Sequence, residues 1–126
     1  VLAAGCALER TTTVALADGA RALLRETVVL GRSGQQPGAL RARTRATHAG
    51  RPLLVEQLDT ACLPVLRSPV VAGDAAVLDT VMLLGARGAD LPGAAQLAGP
   101  GTLWRALHPR ASDPDAAAEP VLAAWG

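Results

Sequence analysis

Apolar and polar positions alternate along most of this chain with the two-residue period of β-strands, and the pattern changes only after Asp113. TTTVALA at 11–17 is rich in β-branched residues and stops at the turn pair Asp18-Gly19. RALLRETVVL at 21–30 follows and is broken by the Gly31–Gly38 run, which contains Pro37. LRARTRATH at 40–48 alternates most cleanly, with Arg41, Arg43, Arg45 and Thr47 on one face and Leu40, Ala42, Thr44 and Ala46 on the other. HAGRP then turns the chain into LLVEQLD at 53–59, which predicts a hairpin.

Further strands are expected at 65–74, interrupted by Pro69, and at 102–108. In AVLDTVMLLGA at 76–86, Val77, Thr80 and Val81 favour a strand, although the length leaves a helix open. The Gly- and Pro-studded stretch 85–101 reads as an irregular connection with room for one short strand. At the end, Asp113 is a candidate N-cap, Pro114 takes the first helical position, and acidic residues fill the first turn. Pro120 then limits this helix to one short piece or two turns. The expected architecture is mainly β with a short C-terminal helix.

Composition changes the picture in two places. Half of the 126 residues are apolar, but Phe and Tyr are absent and Trp104 and Trp125 are the only aromatic residues. Ala, Val and Leu must therefore fill the interior, and they pack thinly per residue. A small domain with such a core is expected to lean on a partner or on further sequence. Because the chain opens at Val1 inside an apolar segment, we expect it to be part of a larger domain. The net charge of +1 argues against a nucleic-acid binder that works by neutralising phosphates.

All 12 basic residues are arginine, which excludes a lysine Schiff base, a P-loop lysine and a Ser-Lys dyad. The apolar runs fall short of the roughly 18 residues of a membrane helix, and no signal peptide is visible, so a cytoplasmic location is expected. Cys6 and Cys62 lack metal or redox spacing and read as small reduced thiols.

The loop LGRSGQQPG invites three catalytic readings. A P-loop needs Lys-Ser/Thr after its second glycine, where this chain has Gln35 and Gln36. A nucleophile elbow needs glycine at position 35 and a strand-to-helix setting. No G-x-G-x-x-G follows a strand, so a dinucleotide fingerprint is absent too. What remains is a polar turn able to present Arg32. His48 and His108 are far apart, and Ser33, Ser68 and Ser112 lack a triad context.

The carboxylates are more informative. Glu26 shares a face with Ala22, Leu24, Val28 and Leu30, Glu56 lies between Leu54 and Leu58, and Asp79 between Val77 and Val81. Charges on apolar faces are costly unless paired or hydrated. The plainer reading pairs Glu56 with an arginine of the 41/43/45 ladder across the hairpin, and Glu26 with Arg25 or Arg32. The sharper one has them line a hydrated interior through which a cation or a partner's polar groups pass.

LLRETVVLGRSGQQPG, an apolar strand ending in Glu-x-x-x-Leu-Gly-Arg before a Gly-rich turn, resembles the pattern of the urease accessory protein UreD (UreH) family. GCALERTTTVALADGARALLRE resembles the family's preceding strand pair, LRARTRATHAGRPLLVEQLD its next hairpin, and LAGPGTLWRALHP its late Trp-Arg-Ala strand. The likeness spans nearly the whole chain but only the C-terminal part of the family domain, so residues 1–126 are expected to be that part of a single UreD-like domain. Gln35 and Gln36 depart from the glutamate often found after the Gly-Arg turn.

The resemblance implies a stacked β-sheet, β-helix-like fold and a non-enzymatic scaffold. It implies binding to UreF and through it UreG, docking on apo-urease, and help in inserting nickel, which is handled transiently with no resident cofactor. Neither nucleic acid nor membrane is an expected partner. Glu26, Gly31 and Arg32 carry the matched pattern and are the candidates for partner binding or nickel passage. Glu56 and Asp59 are added from their place in the matched hairpin. The alternative is the non-catalytic part of an enzyme whose catalytic residues lie upstream.

Overall fold

The computed structural model describes residues 7–29, 39–59, 76–109 and 114–126. The expected strand at 65–74, the Gly31–Gly38 turn and both cysteines lie outside the described residues.

Among the described residues, seven strands and one helix follow in order: β1 (Ala7–Leu16), β2 (Ala22–Val29), β3 (Ala39–His48), β4 (Arg51–Asp59), β5 (Ala76–Leu84), β6 (Ala94–Gln96), β7 (Gly101–Pro109) and α1 (Pro114–Trp125). The mainly β expectation holds, and 76–86 resolves as strand. Its β-branched residues bury on both faces, as a central strand requires.

The strands form two sheets, ordered β1-β3-β4 and β2-β5-β7-β6. β1 and β2 are joined by the short Asp18-Gly19 turn, yet they do not pair with each other. β1 runs parallel to β3, placing Leu16 beside His48, while β2 runs antiparallel to β5. The expected 40–59 hairpin is present, with Ala49 and Gly50 forming a two-residue turn at φ 53° and 77°. Mirror-image turns of this kind match the right-handed twist of the strands they join. Pro52 is accommodated because β4 is an edge strand and the register shifts between Ala46 and Thr47.

Two apolar clusters result. Between the sheets, Ala46, Met82 and Leu84 pack with Val14, Leu16, Leu24, Leu53, Leu54, Leu97 and Leu103. On the other face of the four-stranded sheet, Val81, Leu83 and Trp104 meet Ala118, Val121 and Trp125 of α1. The interior is thus not built of small residues alone, since both tryptophans are buried and anchor the helix side.

Ala118, Val121 and Trp125 fall on one helix face, at the spacing an amphipathic helix needs. Pro120 does not split α1, which runs unbroken through 12 residues. Its ring projects from the exposed face, where the missing N–H costs least and packing against β5 holds the helix together.

The connection from Gly85 to Pro100 is ordered by polar bonds. Gly88 N–H donates to Thr102 Oγ1 at 2.8 Å, and that hydroxyl donates to Gln96 Oε1 at 2.7 Å. Gln96 Nε2 donates to Gly88 O at 3.0 Å and to Asp90 Oδ1 at 2.9 Å. Each indole N–H reaches a carbonyl of the same segment, Trp104 to Pro92 at 3.1 Å and Trp125 to Ala89 at 3.0 Å.

Candidate functional site

Strand alternation decides which charges meet. On β1 the inward phase holds Arg10, Thr12, Val14 and Leu16; on β4 it holds Leu54, Glu56 and Leu58. The facing sheet offers Glu26 and Val28 from β2, Leu78, Thr80 and Met82 from β5, and Arg105 from β7. The side chains meet as two ion pairs that span the gap with opposite polarity. Arg10 of the three-stranded sheet pairs with Glu26 of the other, and Glu56 of the three-stranded sheet pairs with Arg105. Arg105 Nε also donates to Thr80 Oγ1 at 3.1 Å.

Between these pairs lies a cavity of about 20 Å³, lined by Glu26, Glu56, Arg105, Thr44 and Thr80 among apolar walls of Val28, Ala42, Leu58, Leu78 and Met82. That is room for one water molecule, and the lining supplies both donors and acceptors for it.

The carboxylates are therefore paired, Glu56 not with the predicted ladder and Glu26 with Arg10 instead of Arg25, while Arg32, the other predicted partner of Glu26, lies outside the described residues. Glu56 does not meet Arg41, Arg43 or Arg45, because those side chains point to the opposite face of β3. Glu26 does not meet its neighbour Arg25, because adjacent residues of a strand face opposite ways. Arg10 and Arg105 were missed in the sequence, although a signal was present: each is an arginine in the apolar phase of its strand.

Asp79 belongs to a separate site beneath α1. It is fully buried, and Arg25 grips it with two bonds, Nε to Oδ1 at 3.1 Å and Nη2 to Oδ2 at 2.8 Å. Thr27 Oγ1 donates to Oδ1 at 3.2 Å. The remaining Arg25 nitrogen, Nη1, reaches Asp115 in the first turn of α1 at 2.8 Å. The bonds donated to Asp79 are the main reason the Arg25 pKa is held above the ordinary arginine value; desolvation opposes them and the bond to Asp115 adds to them.

The other candidates do not join these sites. Asp59 closes β4 opposite Arg41 in register. Gly31 and Arg32 lie outside the described residues. His48 lines a shallow cleft of about 470 Å³ with Asp18 and Arg51, while His108 lies opposite Val77 in the other sheet. Among the described residues, no group of three or more His, Cys, Asp or Glu side chains could hold a metal ion, and no helix is long and apolar enough to cross a membrane.

Among the described residues, two stacked sheets, one docked helix and a small polar cavity bounded by arginine–carboxylate pairs that cross between the sheets define a mainly β protein. The family described as UreD urease accessory protein matches residues 1–125, so the chain belongs to the UreD family. It is 42% identical over 127 residues to Urease accessory protein UreD 1 of Streptomyces griseus, an alignment covering 99% of this chain and 50% of that relative. Over 124 residues it is 32% identical to Urease accessory protein UreD 2 of Saccharopolyspora erythraea, covering 86% and 44%. A shorter stretch of 58 residues is 55% identical to Urease accessory protein UreD 3 of Streptomyces griseus. The chain spans about half the length of the first two relatives. Membership places it in a family of urease accessory proteins.

Proposed function

We propose that this chain forms part of a scaffold that matures urease, assisting insertion of nickel into the apo-enzyme in the cytoplasm together with UreF- and UreG-like partners. The observation that carries this reading is the family match over residues 1–125. The inter-sheet site adds chemical support. Glu26 and Glu56 approach one polar cavity from opposite sheets, and each already has a guanidinium partner. A divalent cation approaching such a carboxylate would compete with its guanidinium for the same negative charge. That suits brief contact with a cation in transit and disfavours tight retention.

The test is co-expression of the complete protein with UreF-like and UreG-like proteins and apo-urease, followed by pull-down and nickel assay of the urease. The expected result is a recovered complex, with a Glu26→Gln, Glu56→Gln variant that still assembles but loads less nickel. A well-folded protein that recovers neither UreF nor apo-urease would overturn the scaffold reading. Full nickel loading by the double variant would remove the two glutamates from it.

A further inference from the structure

The outer face of the β1-β3-β4 sheet carries a different charge pattern from its inner face. In contrast to the matched interior, its central strand exposes Arg41, Arg43 and Arg45 in one line. Arg41 meets Glu9 at 3.5 Å and lies opposite Asp59 in register. The next two differ. Arg43 is flanked in register by Thr11 and Gln57, and Arg45 by Thr13 and Val55, so neither has an acidic residue directly opposite it on the adjoining strands. Among the described residues, neither side chain takes part in an ion pair or hydrogen bond.

Residues two apart on a strand are about 7 Å from each other, within the roughly 8 Å screening length of physiological salt. The two guanidiniums therefore repel each other, and the nearest carboxylate on β1, Glu9 one row away, is engaged by Arg41. The row Thr11–Arg43–Gln57 presents a hydroxyl, a guanidinium and an amide, and the row Thr13–Arg45–Val55 a hydroxyl, a guanidinium and an exposed aliphatic group. Every row can donate to a carboxylate, and the unpaired positive charge favours one.

We propose that this face, centred on Arg43 and Arg45, docks an extended acidic segment of a partner protein, whose carboxylates recur at every second residue and fall on successive rows. This surface lies on the far side of the sheet from the Glu26–Glu56 cavity and does not depend on the role given to that cavity. A nucleic acid fits less well, because the ladder is short, is bounded by Glu9, and has no aromatic side chain for bases to stack on. A membrane surface calls for about four to eight clustered basic residues, more than this face offers.

The test is fluorescence anisotropy of the full chain with a labelled peptide of alternating glutamate and threonine, with a glutamine-for-glutamate peptide as reference. Arg43→Gln, Arg45→Gln is compared with Arg21→Gln, Arg51→Gln, which removes the same charge from exposed positions elsewhere. The expected result is salt-sensitive binding of the acidic peptide alone, weakened about tenfold by the ladder variant and unchanged by the control variant. If the ladder variant melts early, either single substitution serves, with about a threefold loss expected. Absence of binding, equal loss in both variants, or tighter binding of oligothymidylate or phosphatidylserine vesicles through the same arginines would overturn the proposal.

Discussion

Glu26 and Glu56 face each other across the two sheets, each held by an arginine from the opposite sheet, so that charge is balanced across the gap and not within either layer. The two pairs act as crosslinks between layers that also pack through a cluster of aliphatic side chains and Met82. Because the polarities are opposite, either sheet alone would carry both an uncompensated cation and an uncompensated anion on its inner face. Layer association and charge matching are therefore coupled.

This coupling predicts a recoverable charge swap. Arg105→Glu alone brings two carboxylates together and should destabilise the fold by about 2 kcal/mol or more. Arg105→Glu combined with Glu56→Arg should regain about 1 kcal/mol of that loss, measured as a double-mutant cycle in urea unfolding.

Removing Arg25 leaves the fully buried Asp79 without its cation. Arg25→Met should cost about 3 kcal/mol or more, while Arg25→Met with Asp79→Leu should recover much of it, because an apolar pair needs no charge partner. Asp115→Ala, which removes an exposed carboxylate from the Nη1 end of the same arginine, should cost no more than about 1 kcal/mol. Thermal melts of the variants distinguish these outcomes.

The pH dependence of that arginine has a definite sign. A cation whose pKa is raised on folding contributes stability that is fully present below its unfolded pKa and lost only as pH rises through the folded value. For Arg25 both values lie far above neutrality. The stability gap between wild type and Arg25→Met should therefore stay constant from about pH 7 to about pH 9, where arginine does not titrate. Urea midpoints across that range check it.

A close approach holds the C-terminal helix in place. A Cβ at Gly88 would lie 2.6 Å from Trp125 Nε1 and 2.8 Å from the adjoining ring carbons. Gly88→Ala should push the indole from its seat at a cost of about 1–3 kcal/mol and expose it to water. A red-shifted tryptophan emission and faster acrylamide quenching are the expected readouts. Trp125→Ala should cost about 3–5 kcal/mol by emptying the same site.

Gln96 closes the hydrogen-bonded ring that orders the β5–β7 connection. Gln96→Ala leaves the buried Thr102 hydroxyl without its acceptor and frees the Gly88 carbonyl and Asp90. A loss of about 1–3 kcal/mol is expected, with faster amide exchange at Gly88 as the local signature.

Much of this molecule was legible in its sequence, for a reason that particular elements make plain. The alternation at 40–48 and 53–59 assigned the faces of Arg41, Ala42, Arg43, Thr44, Arg45 and Glu56 correctly, because a strand's two-residue period is a local property. Pro114 and the acidic first turn marked the start of the helix for the same kind of reason. The family, too, was visible as an ordered run of short patterns, and the match over residues 1–125 bears it out.

Partner identity was not legible. That Glu26 belongs to Arg10, Glu56 to Arg105 and Asp79 to Arg25 depends on β1 pairing in parallel with β3 while its immediate successor β2 joins the other sheet. Nor could local rules foresee that α1 would run through Pro120, since burial of Ala118, Val121 and Trp125 against β5 and β7 outweighs one missing hydrogen bond. Sequence by itself determined which residues face inward, because backbone stereochemistry acts over neighbouring residues. Tertiary structure decided which inward charges meet, because Coulomb attraction and desolvation act through space and depend on which strands become neighbours.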